Sequence, residues 1–320
     1  MAQLTMKDMR ILNVLDKDPT VSLSEVAKKA GISKQVADYR IKKLIEQKTI
    51  YGFYAVVNLG KLGYSLFRLH IKLKNVSHDK YPAFANYLLK NYPTFWVGFV
   101  SGSFDLIVDI WAKGPSEFQN YLKDILNSQK DIIYSYESFQ MLSLNMFSYN
   151  YFLSDKYIRR KGTIFQESSI VKIDQKDIKI LNILKDNSRI SYEEVGKKVS
   201  LTRNAVKHRI LELEKDKVIS GYHMMVHFRD FNRLSYKIFI EYDHAHIDQE
   251  DNLLSFLESY SGVLAYARLF GRWNLDIEVQ PHDAKELQEL LINLRSKFNI
   301  IQNYEVIQII EDFGLNFFPI

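Results

Sequence analysis

The sequence predicts an α+β protein built as a tandem repeat, in which a three-helix helix-turn-helix domain and a ferredoxin-like βαββαβ sandwich domain follow each other twice. The first observation is a self-match at an offset of 169 residues, with 17 of 50 positions identical between residues 6–55 and 175–224. The second is a change, within each copy, from helical to strand-like hydrophobic spacing. A match of this length marks a tandem duplication.

The short segment that opens each copy predicts three helices. In the first copy, residues 6–17 place apolar side chains at helical spacing and end at Asp18, which precedes a proline. Ser22 opens a capping-box pattern at the start of a second helix, which ends at Gly31. Ser33 begins a third helix. The second copy repeats the plan, with Ser191, Glu194 and Thr202 at the helix starts.

The longer segment of each copy predicts a small α/β sandwich of ferredoxin-like order. A strand at 51–57 is expected to lead out of the helices, and the sandwich then has expected strands at 64–73, 94–100, 104–112 and 132–144 and expected helices at 81–91 and 115–127. Two helices cover one face of such a sheet. Because Trp96, Phe99, Phe104 and Trp111 cannot all lie under those helices, the other face is expected to be an interface. The simplest partner is the other copy, which makes the chain an internal pseudo-dimer.

This plan divides the chain into five segments. Residues 151–173 are read as an exposed, mobile linker, and the alternative for its basic residues Arg159, Arg160 and Lys161 is a phosphate contact. The expected units are a first helix-turn-helix domain at 1–50, a first sandwich at 51–150, the linker at 151–173, a second helix-turn-helix domain at 174–219 and a second sandwich at 220–320.

Composition excludes several classes of protein. The chain has no cysteine, so it has no disulfide and no thiolate metal site. No apolar run approaches the roughly 20 residues that span a bilayer, and the first residues do not form a signal peptide, so we expect a cytoplasmic protein. The net charge of +5 is unevenly distributed: residues 1–55 and 175–224 each carry +4, whereas residues 225–320 carry −7. Positive charge therefore concentrates in the two helical segments.

A helix-turn-helix places its second helix in the DNA major groove, with side chains near the start of that helix against the bases. Asp38 is awkward beside phosphates unless it accepts from a cytosine, and Arg40 and Arg209 are expected to have backbone or structural roles. A three-helix bundle that binds no DNA is the alternative. The candidate DNA-binding residues are Ser33, Lys34, Gln35, Asp38, Tyr39, Arg40 and Lys43 in the first copy, and Thr202, Arg203, Asn204, Lys207, His208 and Arg209 in the second.

The order and spacing of short motifs resemble the leucine-responsive regulator (Lrp/AsnC) family of prokaryotic transcription factors. The motifs in the first copy are Asp8-x-x-Ile11-Leu12, Arg40-Ile41-x-x-Leu44, Ile50-x-Gly52 and Gly102-Ser103-Phe104-Asp105. Their equivalents in the second copy include Asp177-x-x-Ile180-Leu181, Arg209-Ile210-x-x-Leu213 and Gly271-Arg272-Trp273-Asn274. The resemblance implies a RAM-type sandwich, binding to double-stranded DNA and homo-oligomers, and many members bind an amino acid or a related small molecule.

By this resemblance, Gly102, Ser103 and Asp105 line an effector site in the first copy. Asn274 replaces Asp105 in the second copy and holds an ammonium group less strongly, so any effector is expected to prefer the first copy. The alternative is that Asp105 simply terminates a hairpin. Family members usually carry one unit per chain. Because the two third helices differ here, we predict an asymmetric operator with unlike half-sites about one helical turn, or a multiple of it, apart.

Two other functions remain open. Siroheme decarboxylases resemble the same architecture and depend on histidines and basic groups around a tetrapyrrole. His244 and His246 are expected on a strand, where both rings lie on one face and suit a metal, although a solvated pair beside Asp243 is the simpler explanation. An architectural protein that binds DNA without sequence preference is the third reading. We expect no enzyme, no catalytic residue, no metal and no cofactor.

Overall fold

A computed structural model describes residues 4–74, 77, 79–149, 151–153 and 160–319. In the first copy the helices are α1 (Met6–Lys17), α2 (Leu23–Ala30), α3 (Lys34–Glu46), α4 (Lys80–Asn91) and α5 (Pro115–Ser128), and the strands are β1 (Ile50–Val57), β2 (Ser65–Leu73), β3 (Thr94–Ser101), β4 (Leu106–Ala112) and β5 (Ile133–Phe147). Strand β6 (Lys161–Gln166) follows.

The second copy repeats this order. Its helices are α6 (Gln175–Leu184), α7 (Tyr192–Val199), α8 (Arg203–Lys215), α9 (Glu250–Ser259) and α10 (Ala284–Lys297), and its strands are β7 (Ile219–Val226), β8 (Tyr236–Tyr242), β9 (Val263–Phe270), β10 (Leu275–Val279) and β11 (Ile301–Leu315). Among the described residues, no helix is both long and apolar enough to cross a bilayer.

Five of the six helices of the two short segments begin where the sequence predicts, and no start was predicted for α6. The hydroxyls of Ser22 and Ser191 accept hydrogen bonds from backbone amides three residues later. The predicted capping box is complete at Ser191, where Glu194 accepts in return, but only the serine bond forms at Ser22, where Glu25 pairs with Lys29 at 2.8 Å. Gly31 ends α2 in the left-handed region at φ +68°, a conformation that glycine adopts without steric cost. In the second copy Ser200 takes the same place at φ +55°.

Eight strands of the two sandwiches close into one ring, in the order β2-β4-β3-β11-β8-β10-β9-β5, and β5 returns to β2. Within each copy the strand order is that of a ferredoxin-like sheet. The last strand of each copy pairs with the other copy: β5 pairs with β9, and β11 pairs with β3. The sheet faces that point away from α4, α5, α9 and α10 therefore form the interior of a barrel, which confirms the predicted internal pseudo-dimer.

Strands β1 and β7 form a separate two-stranded ribbon beneath the helix-turn-helix domains. Tyr54 pairs with His223, which lies at the equivalent position 169 residues later, so an approximate two-fold axis passes through this pair. Each domain packs on the strand of the other copy as well as on its own: Ile11 and Leu12 share a core with Met224, and Ile180 and Leu181 share one with Ala55. The ribbon thus joins both domains to one rigid base.

Two expectations are corrected. Residues 151–173 are not simply an exposed linker, because β6 pairs with β5 and buries Ile164 and Phe165 completely or nearly so. Arg159 lies outside the described residues. Trp96, Phe104 and Trp111 are buried in the barrel interior as expected, but Phe99 points to the helical face, where its ring lies 4.5 Å from that of Tyr81 on α4. The alternation along β3 places Phe99 opposite to Trp96.

Candidate nucleic-acid interface and barrel interior

The exposed start of α3 carries the first set of predicted DNA-binding side chains. Ser33 caps the helix by accepting from the amide of Val36 at 3.3 Å. Lys34, Gln35 and Tyr39 are exposed, and the tyrosine ring is 64% exposed despite its size. An exposed tyrosine such as Tyr39 on a basic helix is accessible to a ligand.

Asp38 does not present an isolated negative charge on this helix. Its carboxylate pairs with Lys42, one turn later, at 2.8 Å. The pair lies on the exposed side of α3 together with Lys43. The acidic residue therefore opposes DNA binding less than its position in the sequence suggests.

The start of α8 is the second basic surface. The hydroxyl of Thr202 caps the helix by accepting from the amide of Ala205 at 3.2 Å. Four exposed polar or basic side chains follow on the outer face of the helix: Arg203, Asn204, Lys207 and His208. None of the four has an ion-pair partner among the residues that the structure describes. They are available to a polyanion.

Arg40 and Arg209 do not belong to these exposed surfaces. The Arg40 guanidinium bonds Asp8 at 2.8 Å and Thr5 at 2.9 Å, so it ties α3 to the start of α1. Arg209 makes the equivalent bonds to Asp174 and Asp177, both at 2.8 Å. Arg40 and Arg209 are therefore structural residues that hold α3 and α8 in their domains.

The two helix-turn-helix domains also contact each other directly. Arg189 of the second domain donates to the carbonyl oxygens of Pro19 and Val21 in the first domain, and its guanidinium lies 5.1 Å from the ring centroid of Phe53. The backbone amide of Ser188 donates to the carbonyl of Phe53 at 2.7 Å. These contacts, with the ribbon, fix the separation of α3 and α8.

The predicted effector residues form the turn between β3 and β4. Gly102 and Ser103 are exposed, and Gly102 has φ +150°. Asp105 uses one carboxylate oxygen to accept from the amide of Leu73 at 2.8 Å and the other to accept from Lys72 at 3.2 Å. Asn274 accepts from the equivalent amide of Tyr242 at 2.8 Å. Asp105 and Asn274 therefore perform the same structural task, as in the hairpin interpretation.

A buried ion network inside the barrel was missed by the sequence reasoning. Arg68 binds Asp109 through two bonds of 2.6 and 2.8 Å and also donates to Asp276. Lys237 bonds Asp276 at 3.1 Å and Glu278 at 3.2 Å. Arg68 and Lys237 are equivalent at the 169-residue offset, as are Asp109 and Glu278. The sequence signal that could have predicted this network is the presence, in both copies, of oppositely charged residues within otherwise apolar strands.

This network borders a cavity of about 360 Å³ between the barrel interior and the ribbon, which we call the barrel chamber. Its mouth lies at Tyr51 and Asp312, which are both exposed. Asp312 nevertheless has protein on most sides, and desolvation followed by the charge of Glu278 raises its pKa to about 6. The charged residues that line the barrel chamber are Arg68, Asp109, Lys237, Asp276, Glu278 and Asp312. The aromatic residues that line it include Tyr54, Phe95, Trp96, Tyr149 and Tyr266.

His244 and His246 lie in a short 3₁₀ segment, not on a strand as predicted, and His244 is exposed. The nearest acidic group to His246 is Asp243 at 3.9 Å. Among the described residues, no group of three or more histidine, aspartate or glutamate side chains is placed to hold a metal. His70 is instead buried at the centre of the barrel.

Two family models match the chain: an AsnC-type helix-turn-helix domain over residues 173–214 and a winged helix-turn-helix DNA-binding domain over residues 6–50. The HTH-type transcriptional regulator FL11 of Pyrococcus abyssi is 36% identical over 121 residues, which are 38% of this chain and 78% of the regulator. The leucine-responsive regulatory protein of Rhizobium meliloti is 30% identical over 129 residues, or 39% of this chain and 81% of the relative.

The siroheme decarboxylase NirDL is similar in fold over nearly the whole length, with a TM-score of 0.63, 16% identity and coverage of 97% of this chain and 93% of that chain. At this identity the likeness describes the fold alone. Each regulator, in contrast, matches 121 or 129 residues, which is less than one copy, and the family models fall on both helical segments. The chain therefore belongs to the Lrp/AsnC family of transcriptional regulators.

Proposed function

We propose that this protein is a sequence-specific DNA-binding regulator that reads an asymmetric operator with two unlike recognition helices in one chain. The observation that carries the proposal is the pair of exposed basic helix starts, at α3 and α8, held on one ribbon. Lys34 and Gln35 face outward in the first copy, and Arg203 and Asn204 do so in the second. Arginine and lysine suit guanine edges or phosphates, and glutamine and asparagine suit adenine edges.

The ribbon supports this function because it relates the two domains by an approximate two-fold axis. Two-fold related helix-turn-helix units bind half-sites about one helical turn, or a multiple of it, apart. In a symmetric dimer such units read a palindrome. Here the symmetry is confined to the scaffold, since the exposed side chains of α3 and α8 differ at every equivalent base-facing position. We therefore expect two half-sites of different sequence.

We further propose that chains associate into homo-oligomers and that an amino acid bound at the turn of Gly102, Ser103 and Asp105 modulates binding. These proposals rest on the family. The structural task of Asp105 leaves only the backbone and Ser103 of this turn for a ligand. Calorimetry with a panel of amino acids tests the effector, and the absence of binding heat for every amino acid in the panel would reject it.

The regulator is proposed to be non-enzymatic. The likeness to a siroheme decarboxylase brings with it no cluster of basic groups, since the chamber walls carry four carboxylates against Arg68 and Lys237. A binding site for a polyanionic tetrapyrrole requires the reverse balance. Visible absorbance of the protein mixed with siroheme tests this alternative, and a bound spectrum would restore it.

The proposed function is tested by binding of the purified protein to genomic fragments, including its own upstream region, across a salt series. We expect tight, salt-sensitive and sequence-selective binding. The double variant K34A/R203A is expected to lower the salt slope by about two, because each cation contributes about one phosphate contact or its equivalent. The matched control is K285A, an exposed lysine on α10 of the acidic sandwich.

No binding at low salt would contradict the regulator. Steep salt dependence with little discrimination between fragments would instead identify an architectural protein.

A further inference from the structure

The barrel chamber has an unbalanced set of charges. Asp109 is neutralised by Arg68, and Lys237 is shared between Asp276 and Glu278. With Asp312, four carboxylates line the chamber against two cations. A buried carboxylate is expensive unless it is paired or hydrogen-bonded. The walls therefore favour a positively charged occupant.

One carboxylate oxygen has no hydrogen-bond partner. Asp276 is only 2% exposed, and its Oδ2 accepts from both Arg68 and Lys237. Its Oδ1 is buried and has no partner among the described residues. Buried carboxylate oxygens are normally satisfied, so this atom is a ready acceptor for a donor placed in the chamber.

The chamber exists because the second copy departs from the first at the wall positions. At the 169-residue offset, Trp96, Ile107 and Trp111 are replaced by Ala265, Asp276 and Gln280. On the closing strands, Leu144 and Asp312 occupy equivalent pairings, opposite Ala267 and Gly98 respectively. Four large apolar residues thus become one small and three polar residues. Packing of the barrel does not require polar residues at these positions, because the first copy has apolar side chains at the equivalent positions.

The rest of the wall is aromatic. Trp96 already holds the Lys237 ammonium 4.9 Å from its ring, and its indole N–H donates to Asp312 at 2.8 Å. Tyr51 and Tyr54 of the ribbon and Tyr266 of β9 complete this side. Aromatic faces attract cations and accommodate an apolar body. A volume near the lower end of ordinary ligand pockets limits the occupant to a small molecule.

We propose that the barrel chamber binds a small organic amine in its ammonium form, with the cationic nitrogen at Asp276 and Asp312 and the apolar body against the tyrosines and Trp96. This site is separate from the turn at Gly102. Because Tyr51, Tyr54 and the end of β7 form one wall, an occupant contacts the ribbon that carries both helix-turn-helix domains. The consequence for DNA binding rests on the proposed function, whereas amine binding itself does not.

The test is calorimetry and tryptophan fluorescence of the full chain with tyramine, phenethylamine and cadaverine as probes. Matched uncharged and anionic probes are 4-ethylphenol and 3-phenylpropionate. We expect at least one amine to bind with a Kd below about 1 mM and the uncharged and anionic probes to bind at least about tenfold more weakly. Absence of amine binding by the folded protein overturns the proposal.

Three variants locate the binding. D276N and D312N are each expected to weaken the amine about tenfold or more by removing a charge-assisted bond. A265W restores the residue of the first copy, fills the chamber and is expected to abolish binding. E289Q is the control, because it removes a carboxylate that is exposed on α10, outside the barrel chamber. Circular dichroism and melting of each variant identify any that fails to fold, and D312N, at the exposed mouth, keeps the test usable if D276N unfolds.

Unchanged amine binding in A265W places the ligand elsewhere and overturns the proposal. DNA binding is measured separately, with and without the amine. If the protein binds the amine but no DNA, the proposal of an amine site stands and the proposed DNA-binding function is contradicted.

Discussion

The first and second copies share their scaffold contacts and differ at the exposed starts of α3 and α8 and along the walls of the barrel chamber. Asp8–Arg40 recurs as Asp177–Arg209, and Arg68–Asp109 recurs as Lys237–Glu278. In contrast, Lys34, Gln35, Asp38 and Tyr39 align with Arg203, Asn204, Lys207 and His208, without one identity. A fused pair, unlike a symmetric dimer, can change one half alone. The comparison therefore separates the contacts that both copies keep from α3, α8 and the chamber walls, where the two copies differ.

The largest expected effect breaks the ion network that both copies keep. R68M leaves Asp109 buried without a cation and leaves Asp276 with Lys237 alone, which is expected to lower the free energy of unfolding by about 3–5 kcal/mol. R68K, which places the second copy's residue at this position, is expected to lose less, because an ammonium still pairs with Asp109. Urea denaturation measures both. A loss under about 1 kcal/mol in R68M contradicts the structural role of the network.

The next effect sharpens the comparison of the recognition helices. The variant K34R/Q35N/D38K/Y39H gives α3 the side chains of α8 and is expected to move the preferred operator toward an inverted repeat of the second half-site. The preference for that repeat over the native operator is expected to change by about 1–3 kcal/mol for each altered base contact. Competition binding between the two DNA sequences measures it. An unchanged preference means that these residues do not read bases.

At the barrel centre the first copy has His70 where the second copy has Phe239, and this difference makes the stability of the protein depend on pH. His70 packs between Phe104, Phe139 and its own equivalent, Phe239, with no hydrogen-bond partner for either ring nitrogen among the described residues. Burial, with Arg68 and Lys237 nearby, holds the pKa of His70 well below its ordinary value of 6.5. The unfolded chain therefore takes up a proton below pH 6.5 that the folded chain does not, and stability is lost as the pH falls.

H70F, which copies the residue of the second copy, removes this contribution. The loss of stability between pH 6.5 and 5 is expected to be shallower than in the parent protein by about 1 kcal/mol per pH unit on average, rising toward about 1.4 kcal/mol per unit near pH 5. His223, whose pKa is lowered to about 4 by burial and then by Arg160, titrates in the same direction and remains in the variant. Denaturant midpoints across this pH range measure the slopes, and parallel slopes contradict a neutral, buried His70.

The smallest effect concerns the turn after β3. D105N is expected to change the free energy of unfolding by less than about 1 kcal/mol, since the asparagine accepts from the amide of Leu73 as Asn274 accepts from that of Tyr242. Thermal melting measures it. A loss of several kcal/mol shows that the bond between Asp105 and Lys72 matters more than the shared backbone contact.

The sequence predicts the scaffold well because repeated local rules determine it. Ser22, Ser191 and Gly31 mark helix ends by capping chemistry, and the large residues Trp96, Phe104 and Trp111 require a second layer. The packing of the two sheets against each other follows from that requirement, but the pairings of β5 with β9 and of β11 with β3, which close the ring, do not, because register depends on non-local pairing.

Other features depend on which side chains meet in space. The sequence predicts that His244 and His246 lie on a strand, whereas Asp243 caps a 3₁₀ segment that begins at His244. The bond from Arg189 to the first domain and the chamber around Asp276 join residues far apart in the chain. Alternation places Asp276 on an inward face but does not show which copy leaves space beside it.

The most direct test of the account is selection of binding sites from random DNA by the purified protein. Two unlike half-sites, about one helical turn or a multiple of it apart, are the expected result. In the variant R203A, selection is expected to relax at one half-site and to leave the other unchanged. Recovery of a perfect palindrome, or relaxation of both halves together in R203A, contradicts the claim that the two copies read different sequences.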